Sequence, residues 1–426
     1  MFSYLHQIWH SEALRRRILW SVALLVIYRI VAHITIPGAD PFALQQFLES
    51  RQSSGVLGVF TALTGGNIDN FSVVLLGLGP YINASIIIQL CTVIFPKLES
   101  LAKEEGMQGQ QQLNSYMRYL TLPLAFLQSY GFLLLLSRGG VDLVDTAFPG
   151  VLWPMLSVTA GSLFLMWLGE MITEKGISNG ISLIIFVGIV SEVPSSLGAV
   201  FFSGAGKIEP FILFGAVAIV LLIAIVLFTD ANRLLPITYA NQGAGRGVQG
   251  HLPIRLNQAG MIPIIFAVSL ITLPQIFAQF MATAPNFQEV VRFINTYLNP
   301  GSPSMVYLGC YFALVVLFTF FFVSVTFRPD QLAESIQKRG GFIPGIRPGA
   351  QTAAIIAKTS NRLNLWGGTF LAVIAIIPLF FMRYSTLSSS DLLISGSGMI
   401  IIVGVVMDLI RQVNAQMLAH DYEKLV

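Results

Sequence analysis

The sequence predicts an all-α integral membrane protein with ten transmembrane helices in two inverted five-helix halves, together with one re-entrant segment. Three features predict this fold: the composition, the uncharged stretches and the distribution of basic residues. Of the 426 residues, 54% are apolar and 11% are charged, whereas about a quarter is charged in an average soluble domain. So few charges could not cover a soluble protein of this size, and a soluble enzyme is disfavoured. The high hydrophobicity and the net charge of only +3 also exclude a disordered chain.

The gaps between charged residues give the positions of the membrane spans. A membrane-spanning helix needs about 20 mostly apolar residues, and ten stretches of the chain meet or approach this length. Only Arg29 interrupts the first stretch. The ten predicted spans are Ile18–Ile36, Asn70–Pro96, Tyr119–Ser137, Thr146–Gly169, Ile177–Val200, Pro210–Thr229, Leu256–Gln288, Phe293–Phe327, Leu363–Met382 and Leu392–Met407.

The Lys and Arg residues fall mainly on one side of these spans. With a cytoplasmic N-terminus, 18 of the 24 lie on the cytoplasmic side, 5 lie on the opposite side and Arg29 lies within the first span. Cytoplasmic loops of membrane proteins carry such an excess of basic residues. A missed or additional span would have removed the asymmetry. The distribution therefore predicts a multi-pass protein with both termini in the cytoplasm.

Ten spans divide into two halves of five near Gly204–Gly206, which gives an N-terminal half at 1–203 and a C-terminal half at 204–426. Because each half has an odd number of spans, the second half is inverted relative to the first. This is the arrangement of an inverted repeat around a central path. The two halves show no clear sequence identity, so the inverted repeat depends on the topology alone.

The chain before the second span, at about residues 55–70, is apolar but too short to cross a bilayer. It is rich in Gly and Thr and uncharged as far as Ile68. Its backbone can re-enter the membrane only where protein or a water-filled cavity shelters it. The alternative is a helix on the surface of the outer leaflet.

The two longest polar stretches, 230–257 and 328–362, both lie on the predicted cytoplasmic side and hold nine of its 18 basic residues. They are interpreted as docking surfaces for an acidic or large partner, or as simple orientation anchors. In the second stretch, Pro344 and Pro348 fix φ on either side of Arg347, and the neighbouring glycines permit turns. The sequence therefore predicts a stiff loop tip that presents one guanidinium group.

The chain carries no convincing catalytic constellation and indicates no cofactor or metal, which favours a passive protein over an enzyme. Ion-coupled carriers usually place ionisable groups at mid-membrane. Here only Arg29 and His33 interrupt the uncharged stretches, both near the outer end of the first span, and Glu192 lies in the extension of the fifth span beyond Ser191. A path lined by aliphatic and weakly polar groups suits a substrate that is neither ionic nor small. A secondary transporter for a small solute remains the alternative. The polar groups assigned to the spans are Asn83, Ser85, Gln89, Thr92, Asn257, Gln258, Ser269 and Thr272.

Several long stretches resemble the SecY family of protein-translocation channels. Leu75–Leu90 (LLGLGPYINASIIIQL) and Gly169–Ile185 (GEMITEKGISNGISLII) are similar to the two signatures of that family. The order and spacing of these stretches and the length of the chain agree with the family over essentially the whole chain. The chain resembles the bacterial or plastid type of this family. Further similar stretches are 29–38 (RIVAHITIPG), 251–266 (HLPIRLNQAGMIPIIF), 341–349 (GFIPGIRPG) and the tail 403–422.

The resemblance implies the central channel of the general secretory translocase. Such a channel passes unfolded precursor polypeptides and releases hydrophobic segments, including signal sequences, sideways into membrane lipid. The implied partners are SecE-like and SecG-like small membrane subunits. A SecA-like motor ATPase or a ribosome on the cytoplasmic loops would supply the energy. The implied location is the cell inner membrane, with the plastid thylakoid membrane as the alternative.

The resemblance also assigns residues to four sites. The family fold has a constriction ring, a plug on the outer side and a lateral gate between the second and seventh spans. The ring is implied at Leu78, Ile82, Ile185, Ile189, Ile265 and Ile401. The plug is implied at 55–70, with Gly55, Phe60, Leu63, Gly65, Gly66 and Asn67. The gate is implied at Asn83, Gln89, Asn257 and Leu273, and the motor or ribosome contact at Arg246, Arg255 and Arg347.

The sequence departs from the family pattern in the cytoplasmic stretches. Leu234–Leu235 replaces a usual Arg pair, and Asn241–Gln242 replaces usual basic residues. Gln108 and Gln110–Gln112 also occupy positions that are usually basic, and Ser395–Ile401 reads SGSGMII in the tenth span. These departures leave the fold unaffected but put the identity of the cytoplasmic partner in doubt.

Overall fold

The structure is a computed structural model that describes residues 11–37, 72–103, 106–138, 149–202, 208–239, 248–281, 287–299, 304–384 and 396–423. The helices of the first half are α1 (Glu12–Val31), α2 (Gly79–Ile94), α3 (Pro96–Lys103), α4 (Gly106–Arg138), α5 (Leu152–Lys175) and α6 (Gly180–Phe202). The second half begins with α7 (Ile208–Asp230), β1 (Asn232–Tyr239) and β2 (Val248–Arg255). It continues with α8 (Ile262–Met281), α9 (Gln288–Tyr297), α10 (Met305–Thr326), α11 (Pro329–Lys338), β3 (Gly341–Phe342), α12 (Ala350–Tyr384) and α13 (Gly396–Glu423).

The chain is mostly helical, as predicted, and each of the ten predicted spans overlaps one of these helices: α1, α2, α4, α5, α6, α7, α8, α10, α12 and α13. Within the described ranges, four helical stretches are long and apolar enough to cross a membrane, and four further apolar helices are shorter. The long stretches begin at Leu152, Met305, Ala350 and Gly398. A multi-pass membrane protein follows from these helices.

The same pattern of helix neighbours recurs in both halves. In the first half, α2 packs on α4, α4 on α5, α5 on α6, and α1 on α6. The equivalent spans of the second half repeat each contact, because α8 packs on α10, α10 on α12, α12 on α13, and α7 on α13. Between the halves, α2 and α4 contact α8, and α6 contacts α13. A single buried apolar cluster draws on spans from both halves.

A small antiparallel sheet, with strand order β2-β1-β3, was not predicted from the sequence. Strand β1 pairs along its full length with β2, from Asn232 opposite Arg255 to Tyr239 opposite Val248. Strand β3 lies on the other edge of β1, with Phe342 opposite Thr238. The two long polar stretches therefore form one unit. Its core contains Ile237, Ile254, Ala333, Ile336, Ala353 and Ile356.

Several helices end at positions that differ from the predicted spans. Helix α12 begins at Ala350, well before Leu363, and α13 continues to Glu423, well past Met407. Both helices continue beyond the predicted apolar span into polar sequence. A helix keeps its backbone hydrogen bonds there without apolar side chains, so the length of the apolar stretch does not limit the helix. The predicted span Phe293–Phe327 is divided, because a separate amphipathic helix, α9, precedes α10. Asn257 and Gln258 precede α8, which begins at Ile262, so these two amides do not lie within a span.

Candidate functional site

The six ring residues come from four helices and lie together in one buried apolar cluster. Leu78 is the N-cap residue of α2, and Ile82 follows in its first turn. Ile185 and Ile189 are one turn apart on α6, Ile265 lies in the first turn of α8, and Ile401 lies on α13. Each is at most 8% exposed. Helices of both halves therefore contribute aliphatic side chains without hydrogen-bonding groups to the same cluster.

A tight series of turns positions Leu78 at the start of α2. The N–H groups of Leu75, Gly77 and Gly79 donate to the carbonyls of Ser72, Val74 and Leu76. Gly77 has φ +54°, a conformation that side chains with a Cβ atom rarely adopt. The Val73 N–H donates to the Ile34 carbonyl at 2.9 Å, which ties this segment to the chain after α1. The first signature therefore encodes a turn and a helix start.

Close backbone approaches position α6, which carries Ile185 and Ile189. The Gly180 N–H donates to Thr173 Oγ1 at 2.8 Å, and Thr173 Oγ1 donates to the Gly169 carbonyl at 2.8 Å. A Cβ atom on Gly180 would lie 2.0 Å from the Gly169 carbonyl oxygen. Asn179 Oδ1 accepts from the N–H groups of Ile181 and Ser182 and so caps the helix. The second signature therefore encodes the corner between α5 and α6.

The predicted gate residues lie on or near α2 and α8, and these two helices are in contact. Asn83 is buried on α2, and its Oδ1 atom has no hydrogen-bond partner among the described residues. Gln89 and Leu273 are half-buried. Asn257 Oδ1 accepts from the Gly260 N–H at 2.9 Å and so stabilises the turn before α8. Asn257 therefore has a local structural role before α8, while Asn83 and Gln89 lie on α2 and Leu273 lies on α8.

A cavity of about 760 Å³ lies where α2 and α4 meet the end of α10 and α11. Gln89 and Thr92 line it from α2, and Leu113 and Met117 line it from α4. Its opposite wall includes Phe322, Phe327, Arg328, Gln331 and Leu332. The cavity thus has an apolar lining with several polar groups and is bounded by helices of both halves. Of the predicted gate residues, Gln89 is the one that lines it.

Of the predicted motor or ribosome contacts, Arg255 and Arg347 are exposed, and Arg246 lies outside the described residues. Arg255 ends β2. The loop tip at Arg347 has the expected turns, because Gly345 has φ +81° and Gly349 has φ +102°. The Arg347 carbonyl accepts from Thr352 Oγ1 at 3.1 Å, which fastens the tip to α12. The predicted plug residues, from Gly55 to Asn67, also lie outside the described residues.

Sequence reasoning missed two polar contacts that join elements. Ser360 Oγ on α12 donates to Gln258 Oε1 at 2.7 Å, which fastens the turn before α8 to α12. Arg118 on α4 and Glu170 on α5 form an ion pair at 2.8 Å. Both pairs are far apart in sequence, so no local pattern indicates them. The sheet did have a local signal: Leu235 and Ile237 are less exposed than Leu234 and Pro236, which alternate with them along β1, as expected of a strand with one buried face.

The fold is similar to that of solved membrane-channel structures. A solved structure described as "The structure of a protein conducting channel" matches with a TM-score of 0.67 and 17% identity, over 94% of this chain and 92% of that chain. A second, described as "Sec61 in the Canine ribosome-channel complex from the endoplasmic reticulum", matches with a TM-score of 0.65 and 18% identity, over the same shares of both chains.

The relationship in sequence is more specific. The family model of SecY matches residues 72–410. The protein translocase subunit SecY of Mycobacterium bovis is 36% identical over 428 aligned positions, which cover 96% of each chain. The chain therefore belongs to the SecY family.

Proposed function

We propose that this chain is the central protein-conducting channel of a general secretory translocase. It passes unfolded polypeptides across the membrane and releases hydrophobic segments sideways into lipid. The observation that carries the proposal is that one buried apolar cluster, built by helices of both halves, contains Leu78, Ile82, Ile185, Ile189, Ile265 and Ile401. Membership of the SecY family supports the same function.

An aliphatic ring is suited to a channel for polypeptides. Aliphatic side chains offer no hydrogen bonds that would hold a passing chain, and a hydrophobic constriction blocks ions by excluding water. A secondary transporter for a small solute is not favoured, because such carriers usually place ionisable groups at mid-membrane. Arg29, an ionisable group in the first predicted span, donates to Ser191 Oγ at 2.8 Å. It is thus engaged in a hydrogen bond between α1 and α6.

Two features support sideways release between α2 and α8. The buried Asn83 Oδ1 lacks a partner, and an unpaired buried polar atom costs about 1–3 kcal/mol. This cost makes the closed packing of α2 less favourable and the contact with α8 easier to separate. The direct contact of α2 with α8 also places these two helices at a boundary between the two halves. The gate residues of the proposal are Asn83, Gln89, Asn257 and Leu273, and Asn257 also shapes the turn before α8.

The channel is not an enzyme, so a partner must supply the energy for transport. The sheet and the loop tip form the docking surface for this partner. Arg347 and Arg255 are exposed, and Arg246 belongs to the same polar stretch. The partner is a SecA-like motor ATPase or a ribosome, and the similarity in fold to a channel from a ribosome complex supports the second. SecE-like and SecG-like small subunits complete the translocase in the membrane.

The two halves, 1–203 and 204–426, surround the path, with residues 55–70 as the plug on the outer side. The repeated helix contacts in the two halves support this division. The excess of basic residues on one side supports cytoplasmic termini. The proposed location is the inner membrane of the cell, with the plastid thylakoid membrane as the alternative.

A stalled precursor tests whether polypeptide passes the ring. Both native cysteines, Cys91 and Cys310, are replaced by Ser, and single cysteines are introduced by Ile185→Cys or, as a control, by Val220→Cys on the exposed face of α7. We expect a cysteine-bearing precursor, arrested in vesicles by a folded C-terminal domain, to crosslink to position 185 and not to position 220. Successful transport without any crosslink at position 185 would contradict the proposal.

A further inference from the structure

Helix α9, Gln288–Tyr297, has no role in the proposed channel function. It lies between α8, which ends at Met281, and α10, which begins at Met305. Both neighbours are membrane spans that meet at the same face of the membrane. The connections to α9 are short on both sides. The chain therefore holds α9 at the membrane surface, at the opposite face from the sheet.

Helix α9 divides cleanly into an apolar and a polar side. With 3.6 residues per turn, the apolar side contains Val290, Val291, Phe293, Ile294 and Tyr297. The polar side contains Gln288, Glu289, Arg292, Asn295 and Thr296. A short helix with this division is typical of segments that lie in the interface of a bilayer.

The apolar side of α9 is itself divided between a protein-facing and an uncovered part. Val291 and Ile294 are half-buried, and α9 contacts both α8 and α10. Val290, Phe293 and Tyr297 occupy an adjoining arc of roughly 60° and are 47%, 54% and 41% exposed. The rings of Phe293 and Tyr297 pack on each other, with centroids 4.8 Å apart. Protein thus covers one part of the apolar side, and another medium must cover the rest.

We propose that the uncovered face of α9, formed by Val290, Phe293 and Tyr297, inserts into the headgroup and acyl-chain boundary of the lipid bilayer. The position of α9 between two spans supports lipid as the occupant. Exposed apolar residues also lie on the adjoining spans, at Phe277 on α8 and at Met305 on α10. The lipid-facing surface therefore continues from the spans onto α9.

The charges of α9 indicate how it is held at the bilayer. Its polar side carries one acidic residue, Glu289, and one basic residue, Arg292, so the helix has no net charge to attract anionic lipid. Apolar insertion, together with the aromatic rings of Phe293 and Tyr297 at the interface, provides the attachment. Insertion therefore does not depend on the charge of the lipid headgroups.

Hydrogen bonds fix the inserted helix to the ends of both spans. Gln275 Nε2 on α8 donates to the Leu298 carbonyl, directly after α9. Ser304 Oγ, at the N-cap of α10, donates to the Tyr297 carbonyl at 2.5 Å and accepts from the Tyr307 N–H at 3.0 Å. The depth of α9 therefore sets the position of these span ends relative to the bilayer, whether or not the chain conducts polypeptides.

Spin labels on the complete chain test the proposal without any partner or precursor. In the background without native cysteines, single labels replace Val290, Phe293 and Tyr297, and matched controls replace Gln288, Arg292 and Asn295. The chain is reconstituted in phosphatidylcholine vesicles and in vesicles that also contain phosphatidylglycerol. Collision rates of each label with oxygen, which is concentrated in lipid, and with a water-soluble nickel complex report its depth.

We expect the three apolar positions to collide several-fold more with oxygen and several-fold less with nickel than the three controls. Their depth should be about 5–10 Å below the phosphates, in both kinds of vesicle. Nickel collisions at the apolar positions equal to those of the controls would show that this face is in water. Low collision rates with both reagents would show that protein, such as a second copy of the chain, covers it. Either of these results overturns the proposal, and neither bears on polypeptide conduction.

Discussion

At the scale of single residues, glycine determines how closely the spans of the first half approach each other. A Cβ atom on Gly161 of α5 would lie 2.2 Å from the carbonyl oxygen of Val73 and 2.7 Å from its carbonyl carbon. Both atoms belong to the backbone, so no side-chain rotation could relieve the contact. Val73 precedes the turns that position Leu78. The packing of α5 against this segment therefore supports the ring from outside.

Replacement of Gly161 by Ala should destabilise the protein, because α5 and the Val73 segment must move apart. Overpacking of this kind costs about 1–3 kcal/mol. We expect a lower melting temperature in detergent, measured by the loss of monodisperse protein after heating. The control is Gly309→Ala on α10, where no atom lies within 4 Å of the added Cβ position. Equal melting temperatures for the Gly161→Ala variant and the unaltered protein would contradict this packing.

At the scale of elements, the sheet unites two polar stretches that are far apart in sequence. Strand β1 pairs with β2 and β3, and a common core joins the strands to α11 and α12. Arg347 is held at the tip of this unit by turns at Gly345 and Gly349. A fixed guanidinium group can pair bidentately with a carboxylate or phosphate, which Lys cannot do. The unit therefore holds the backbone at Arg347 in place, as the proposed contact with a cytoplasmic partner requires.

Replacement of Arg347 by Lys should leave expression and topology intact but sharply reduce precursor transport into vesicles. If Arg347 only helped to orient the chain in the membrane, the positive charge of Lys would be sufficient. Bidentate contact with a partner needs the planar guanidinium group of Arg. Arg347→Glu should abolish transport. Lys358→Glu, a charge reversal at an exposed position of α12, is the control and should have a smaller effect. Normal transport by the Arg347→Glu variant at normal expression would remove Arg347 from the docking surface.

The spans could be predicted because the bilayer imposes a simple requirement of about 20 apolar residues. Helix ends such as Ala350 and Glu423 could not be predicted, because that requirement ends where the helix enters water. The sheet was missed because its pairing joins Thr238 to Phe342 across the whole of α8 and α10. Prolines within both β1 and β2 also disfavoured a strand.

The ring stays a prediction from the resemblance to a family, because several isoleucines lie on the same spans and the sequence alone does not distinguish them. Ile264 and Ile265 are adjacent and both buried, and no property of the sequence alone separates them. Asn257 was assigned to the gate by its position in a motif. Its Oδ1 atom accepts from the Gly260 N–H, because an Asn before a helix readily accepts a backbone N–H from the chain that follows, and its place in the gate stays a prediction.

At the scale of the whole molecule, two groups of five spans meet along α2, α4 and α8 on one side and along α6 and α13 on another. The six proposed ring residues belong to the buried cluster to which both halves contribute. The central claim is that their apolar side chains seal the resting channel against ions. A hydrophobic constriction excludes water, and a polar group in the same position stabilises water and lets ions follow.

Ion conductance across planar bilayers tests this claim most directly. Ile82→Asn and Ile265→Asn place an amide in the ring, whereas Ile264→Asn makes the same change at an equally buried neighbour that is outside the ring. We expect increased resting conductance for Ile82→Asn and Ile265→Asn, and resting conductance close to that of the unaltered chain for Ile264→Asn. Unchanged conductance after substitution at all six ring positions, or an equal increase for Ile264→Asn, would contradict the account.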